Sequence, residues 1–247
     1  MKKIVFAVIA LFVTVPTFAQ TEMEEDENPG GWDFTLPISL SKDKADSMQE
    51  DWNPDLSSSF SLGFTGSAGS DDKVDINMGE SFELAWNNIS SVKAHLGKNS
   101  LFRIGIGINW RNYRMTGRKM FRMGNDGTVT IDDYPSGAAP KFSRIKTFGI
   151  TLPVKFYQRI GRNVFVAAGP ELGYITYSSL KTRYTMGDEK FKDFNKGLKV
   201  NRFQVNIGAE ISIHGIGIYY KYAPTSVLQS TYGPKICSQT VGIKLEL

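Results

Sequence analysis

His95 and His214 are the two histidines of this 247-residue chain, and Cys237 is its single cysteine. Hydrolysis at a membrane or protein surface needs a histidine within reach of a Ser or Asp partner. His95 precedes the short segment Gly97-Lys98-Asn99-Ser100, and His214 belongs to His214-Gly215. Both fall at short turns, at the end opposite to the long connections where surface chemistry would sit. They read as turn or rim residues, and no catalytic residue is assigned. One Cys and two distant His give no zinc spacing. Asp71-Asp72-Lys73-Val74-Asp75 is acidic enough to attract calcium. It lacks the loop Gly and closing Glu of an EF-hand and reads as a solvated loop. Gly105-Ile106-Gly107 lies inside a strand pattern, so it is not a phosphate loop. Cys237 reads as a small buried or rim residue. No metal and no cofactor is expected.

The residues whose pattern points to a ligand are basic. Segment 114–144 carries Arg114, Arg118, Lys119, Arg122, Lys141 and Arg144 against Asp126, Asp132 and Asp133. Segment 179–200 carries Lys181, Arg183, Lys190, Lys192, Lys196 and Lys199 against Asp188, Glu189 and Asp193. Each segment is +3. Tyr113, Met120, Phe121, Tyr184, Met186 and Phe191 are interspersed. Lys and Arg form charge-assisted bonds to phosphate and are drawn to anionic surfaces. The candidate contacts to anionic envelope components are Arg114, Arg118, Lys119, Arg122, Lys190, Lys192, Lys196 and Lys199.

These segments connect elements of one kind. Residues 101–113 read LFRIGIGINWRNY, with Phe102, Ile104, Ile106, Ile108 and Trp110 alternating with polar residues and glycine. Successive side chains of a strand point to opposite faces, so this is one apolar and one polar face. The pattern recurs and predicts eight strands. They run at about 57–66, from about 80 to 96 with a bulge near Asn88, 101–113, about 145–158, about 164–178, 201–213, about 215–223 and about 238–247. Three connections are short, around 97–100, 159–163 and 214–215. Four are long: 67–79, 114–144, 179–200 and 224–237. Short and long alternate throughout, which is the asymmetry of an outer-membrane barrel.

The chain opens MKKIVFAVIALFVTVPTFAQ. A positive start, a short apolar core and small residues before Gln20 predict a secretory signal peptide over 1–19. The core is shorter than the roughly 20 residues of a membrane-spanning helix. Residues 20–56 carry eleven acidic residues against Lys42 and Lys44, a net −9. With Lys2 and Lys3 in the leader and a total of +4, residues 57–247 carry +11. The mature chain thus reads as an acidic periplasmic arm (20–56) followed by a basic barrel domain (57–247). No nucleic-acid motif accompanies the basic charge. The stretch 34–41 alternates but contains Pro37, and a ninth wall strand would reverse the sidedness of the long loops. It is placed outside the wall.

Eight strands leave an interior just wide enough to fill with side chains. The polar face supplies Gly105, Gly107, Gly149, Gly208, Gly217 and Gly242, interleaved with Arg103, Arg111, Lys155, Glu171, Arg202, Glu210, Lys221 and Lys244. Glycine makes room and opposed charges pair. Trp110, Tyr113, Tyr157, Tyr174, Tyr177, Tyr219 and Tyr222 are expected in the aromatic girdles. The fold class is therefore all-β: a closed antiparallel up-and-down transmembrane β-barrel of eight strands with a short N-terminal arm.

The run ITLPVKFYQRIGRNVFVAAGPELGYITY resembles the central hairpin of the small outer-membrane β-barrel (PorT-like) proteins of Bacteroidota, at Pro153, Gly169, Pro170 and Tyr174. RIGIGINWRNYRM and SFSLGFTG are similar to that family's third and first strands. The resemblance spans about 57–247. It implies an outer-membrane barrel and carries over no catalytic or binding residue. One departure is Leu247, where many such barrels have an aromatic residue. The expected function is non-enzymatic, structural or recognition work through basic extracellular loops. A narrow pore or a component of an envelope transport or secretion system is the alternative, and a lipid-modifying enzyme ranks last. Expected partners are outer-membrane lipid including lipopolysaccharide, the barrel-assembly machinery and an envelope protein, with no nucleic acid.

Overall fold

A computed structural model describes the backbone of 32–35 and residues 58–97, 99–161 and 164–246. The expected leader (1–19), most of the acidic arm and Leu247 lie outside the described residues. Twelve strands are present in this part of the chain: β1 (Trp32–Thr35), β2 (Ser59–Ser67), β3 (Phe82–Gly97), β4 (Ser100–Arg114), β5 (Lys119–Met123), β6 (Val129–Asp133), β7 (Ala139–Arg159), β8 (Val164–Met186), β9 (Glu189–Lys196), β10 (Phe203–Ile213), β11 (Ile216–Ala223) and β12 (Ser238–Glu246).

Eight of them close into a ring. Each wall strand pairs antiparallel with the next in sequence, in the order β2, β3, β4, β7, β8, β10, β11, β12. The ring is completed where β12 pairs with β2, from Ser238 opposite Ser67 to Glu246 opposite Ser59. The molecule is a closed eight-stranded up-and-down β-barrel. Its walls coincide with the eight alternating runs of the sequence. The bulge expected near Asn88 is present: Asn88 has φ 55°, and the β3–β4 register shifts between Trp86 and Ser90.

Alternation sets the two faces. On β2, Phe60, Leu62 and Phe64 are exposed while Ser59, Ser61 and Thr65 are buried. On β10, Phe203, Val205, Ile207, Ile211 and Ile213 are exposed, and Gln204, Asn206, Glu210 and Ser212 are buried. Large apolar side chains outside and polar ones inside invert the order of a water-soluble domain. That inversion suits a wall standing in hydrocarbon, where a ring without free edges also satisfies the backbone.

At one end the turns are tight. His214 and Gly215, both at positive φ, form the two-residue loop between β10 and β11. Such a loop matches the twist of a hairpin. At the other end the expected long loops are largely strand. β7 and β8, of 21 and 23 residues, run far beyond the 9–11 residues that cross a bilayer. Their extension is continued by β9, which pairs with β8 in the lane above β10. β5 and β6 form a separate hairpin. Segments 114–144 and 179–200 are therefore corrected from loops to a tall β-extension.

β1 pairs with Ser91–Ala94 of β3, in the lane that β2 occupies higher up. β1 thus joins the sheet of the wall through β3 without being one of the eight strands that close the ring; of the stretch 34–41 that the sequence places outside the wall, it holds only Phe34 and Thr35. The rest of 34–41 beyond Thr35 lies outside the described residues.

Candidate functional site

Among the described residues, two ion networks occupy the lumen. In the first, Glu83 of β3 accepts hydrogen bonds from Nε of Arg111 and from Nζ of Lys221, the latter at 2.9 Å. Lys221 also donates to both carboxylate oxygens of Glu171 at 3.0 Å. Asn206 ties the group together, donating to Glu171 at 2.9 Å and accepting from Arg111 at 3.2 Å. In the second, Glu210 lies between Lys155 at 2.5 Å and Lys244 at 2.6 Å, and Lys244 also reaches Glu246 at 2.9 Å. Charges so buried persist only when paired and hydrogen-bonded. A void of about 10 Å³ remains beside Arg111 and Asn206, room for about one water. Glycine permits this packing: a Cβ at Gly63 would lie 2.4 Å from the Tyr219 hydroxyl oxygen.

Of the lumen charges expected from the sequence, Arg103, Arg111, Lys155, Glu171, Glu210, Lys221 and Lys244 face inward. Arg202 does not; it precedes β10 and is exposed. Glu83, at the centre of the first network, is an addition, and its alternation with Phe82, Leu84 and Trp86 is the signal for it. The girdle also needs correction. Tyr113, Tyr157 and Tyr219 are buried inside, because they fall on the polar phase of their strands. Trp110, Tyr174, Tyr177 and Tyr222 keep the outer phase.

The long-loop end is capped by an apolar cluster drawn from all four connections. Val74 and Ile76, Phe121 and Val129, Leu198 and Val200, and Leu228 and Ile236 pack over Tyr113, Ile145 and Leu180. Backbone bonds lace the segments: Val129 N donates to Tyr232 O at 2.8 Å, Asn201 N to Val227 O at 3.0 Å, and Ala68 N to Cys237 O at 3.0 Å. Cys237 is buried in this lacing, as its size suggests; burial raises its thiol pKa, and its Sγ donates to Pro224 O at 3.0 Å. The purified protein should therefore give no stable conductance in planar bilayers. A reproducible open-channel current would mean that both networks and the cap open together.

His95 and His214 lie at the short-turn end, opposite this cap. Among the described residues no three His, Cys, Asp or Glu side chains are grouped to hold a metal.

The eight basic candidates separate into two groups. Arg118, Lys119 and Arg122 sit on or before the β5–β6 hairpin, where Arg122 is 3.8 Å from Asp132 and Arg118 donates to Ala138 O at 3.3 Å. Lys199 packs over the Tyr232 ring at 5.9 Å, close to the cap. Arg114, Lys192 and Lys196 belong to the outer face of the β-extension, with Lys190 near its top. There they meet Arg144, Lys181 and Arg183, which the sequence places in the same basic segments without singling them out.

Neither a family model nor a curated protein sequence matches the chain. Solved structures similar to it include Neisserial surface protein A, at 8% identity and a TM-score of 0.36, covering 77% of this chain and 96% of that one. Another is Ail, the attachment invasion locus protein of Yersinia pestis, at 11% identity and 0.33, covering 76% and 96%. Ail in complex with the heparin analogue sucrose octasulfate gives 12% and 0.34, covering 76% and 96%.

Proposed function

We propose that the chain is an exported, non-enzymatic integral outer-membrane β-barrel that recognises anionic envelope components through its basic long-loop end. The observation that carries this reading is the combination of an apolar wall with a lumen occupied by charge pairs and capped by an apolar cluster. Passage through the barrel is blocked, so the work falls to the surface. Among the described residues the exposed cations are concentrated at one end of that surface. In this reading the long-loop end is extracellular, 1–19 is a cleaved signal and 20–56 is a periplasmic arm. The resemblance of 150–177 to the central hairpin of PorT-like barrels of Bacteroidota supports the same assignment.

The test uses soluble polyphosphate as a pure anion probe. Binding to the detergent-solubilised protein should weaken steadily with salt, because the screening length falls from about 8 Å at physiological ionic strength to about 3 Å at 1 M. Replacing Lys190, Lys192, Lys196 and Lys199 together by Gln should weaken it about tenfold or more, at roughly a factor of five per cation near an anionic surface at most. Salt-independent binding, or binding untouched by the four substitutions in a folded protein, would overturn the reading.

A further inference from the structure

The outer face of the β-extension is laid out in rows by the strand register. The lowest is aromatic: Trp110, Phe148 and Tyr177 stand side by side on β4, β7 and β8. The Trp110 and Phe148 rings are 4.6 Å apart. Amphipathic rings of this kind settle at the boundary of hydrocarbon and headgroups. One row higher are Lys146 and Lys196. Above those, Arg114, Arg144 and Lys181 are directly opposite one another. The row above holds Phe142, Arg183 and Lys192. Four residues separate Phe148 from Arg144, about 13 Å along the strand and about 10 Å along the barrel axis at the usual tilt. The cations thus begin at headgroup level and point sideways, out from the wall.

The inner face of the same sheet is already occupied. Phe121 of the hairpin donates its N–H to Ser143 and accepts from Thr182. Among the described residues the outer face has no such cover. Three guanidinium groups surround one ring: Arg114, Arg144 and Arg183 lie 5.4, 5.1 and 5.7 Å from the centre of Phe142. Glu80 pairs with Arg114 at 2.9 Å. Among the described residues Arg144, Lys146, Lys181 and Arg183 have no carboxylate partner, and Nε of Arg183 is buried without a hydrogen-bond acceptor. Burial, followed by the neighbouring cations Arg114 and Arg183, lowers the Arg144 pKa. Desolvation and then Arg183, Lys192 and Arg144 lower that of Lys181. Beside this patch a cleft of about 220 Å³ opens between Tyr177 and Lys196, with Arg202 on its wall. Such crowding of like charge is destabilising by itself and calls for an anion.

We propose that this lateral face seats the phosphorylated headgroup of an anionic glycolipid in the surrounding leaflet, with Arg144, Lys181 and Arg183 holding phosphate and the Trp110–Phe148–Tyr177 row bordering its acyl chains. The inference rests on the reading of the chain as an outer-membrane barrel and gives that reading a lipid ligand with a place on the wall. A lipid is favoured over a soluble polyanion by position. The patch faces along the membrane plane, directly above the lipid-facing band, and its guanidinium groups are shielded by Phe142.

The experiment titrates the full-length detergent-solubilised protein with lipid A and counts retained lipid by native mass spectrometry. Soluble polyphosphate is titrated in parallel. The triple substitution Arg144→Gln, Lys181→Gln, Arg183→Gln should weaken lipid A binding by about a hundredfold, at roughly a factor of five per cation. It should weaken polyphosphate binding distinctly less, by about tenfold at most, because Lys190, Lys192, Lys196 and Lys199 still offer a soluble chain its contacts. Arg144→Lys alone should keep most of the charge attraction but lose the fork that grips two phosphate oxygens. Thermal melting by circular dichroism reports that each variant is folded; if the triple variant is not, Arg144→Gln and Lys181→Gln are measured singly. Lipid A binding that survives these substitutions, but falls on neutralising Arg118, Lys119, Arg122 and Lys199, overturns the lateral site and leaves the loop-end reading standing. An equal weakening of polyphosphate and lipid A, by about a hundredfold each, would identify the face as a general polyanion site and overturn the lipid assignment. No binding of either probe by the wild-type protein would overturn both readings.

Discussion

Glu83→Ala should be the most damaging single change in the lumen, lowering stability by about 3–5 kcal/mol. Glu83 is fully buried and accepts from Arg111 and Lys221. Removing it leaves Lys221 its contacts with Glu171, but among the described side chains Arg111 keeps only the Asn206 amide oxygen as an acceptor. The cost is then that of an uncompensated buried cation rather than of one lost bond. Two further variants separate these terms. Glu83→Gln keeps the volume and one acceptor and should cost less. Glu83→Leu combined with Arg111→Leu removes both charges and should restore much of the loss, because a buried pair replaced by apolar residues is often near neutral. Equilibrium urea unfolding in lipid vesicles measures all three. A wild-type midpoint for Glu83→Ala would show that the network contributes nothing to the folded barrel.

The wall was legible in the sequence because lipid outside and a packed polar interior impose opposite chemistry on alternate residues. Ile211, Ser212 and Ile213 of β10 could not be phased in any other way. Even the bulge shows itself, since Asn88 and Ser90 break the alternation that Phe82, Leu84 and Trp86 establish. Tyrosine was read less well. Tyr219 and Tyr220 are adjacent and of one type, yet one donates to Glu83 at 3.5 Å inside the barrel and the other is exposed outside. Residue type alone suggested a girdle, whereas strand phase decides. The β-extension was missed for a different reason. Its two-residue turn, Gly187-Asp188, is a recognisable hairpin signal. The flanking strands, however, carry charge on one face and cap contacts on the other, so they lack the apolar stripe of a wall strand. The cap itself has no period to read. Val74, Val129, Leu198 and Leu228 come from four connections and acquire a common core only when the barrel brings their ends together. The lateral basic face depends on register between strands, with Arg144 opposite both Arg114 and Lys181, and no single segment displays it.

Ile106→Arg should cost about 2–4 kcal/mol, and the cost should fall along the strand in a way only a membrane produces. Ile106 is on the outer phase of β4, opposite Ser90, with Ile108, Trp110 and Asn112 above it on the same face. A charge near mid-depth must leave water for hydrocarbon, while one near the interface keeps much of its hydration. The same substitution at Ile108, one row nearer the aromatic row of Trp110 and Phe148, should therefore cost less than at Ile106. Arg at Gly107 tests the opposite face and should fail by crowding. A Cβ there would stand 2.6 Å from the Trp86 carbonyl oxygen and 2.8 Å from Oγ1 of Thr151. Gly107→Ala should accordingly be damaging too, whereas Ile106→Ala should be tolerated far better than Ile106→Arg. Urea midpoints in vesicles, with heat-modifiable gel mobility to score insertion, give the whole series. Wild-type insertion and stability for Ile106→Arg, or a cost that does not fall from 106 to 108, would remove this face from lipid.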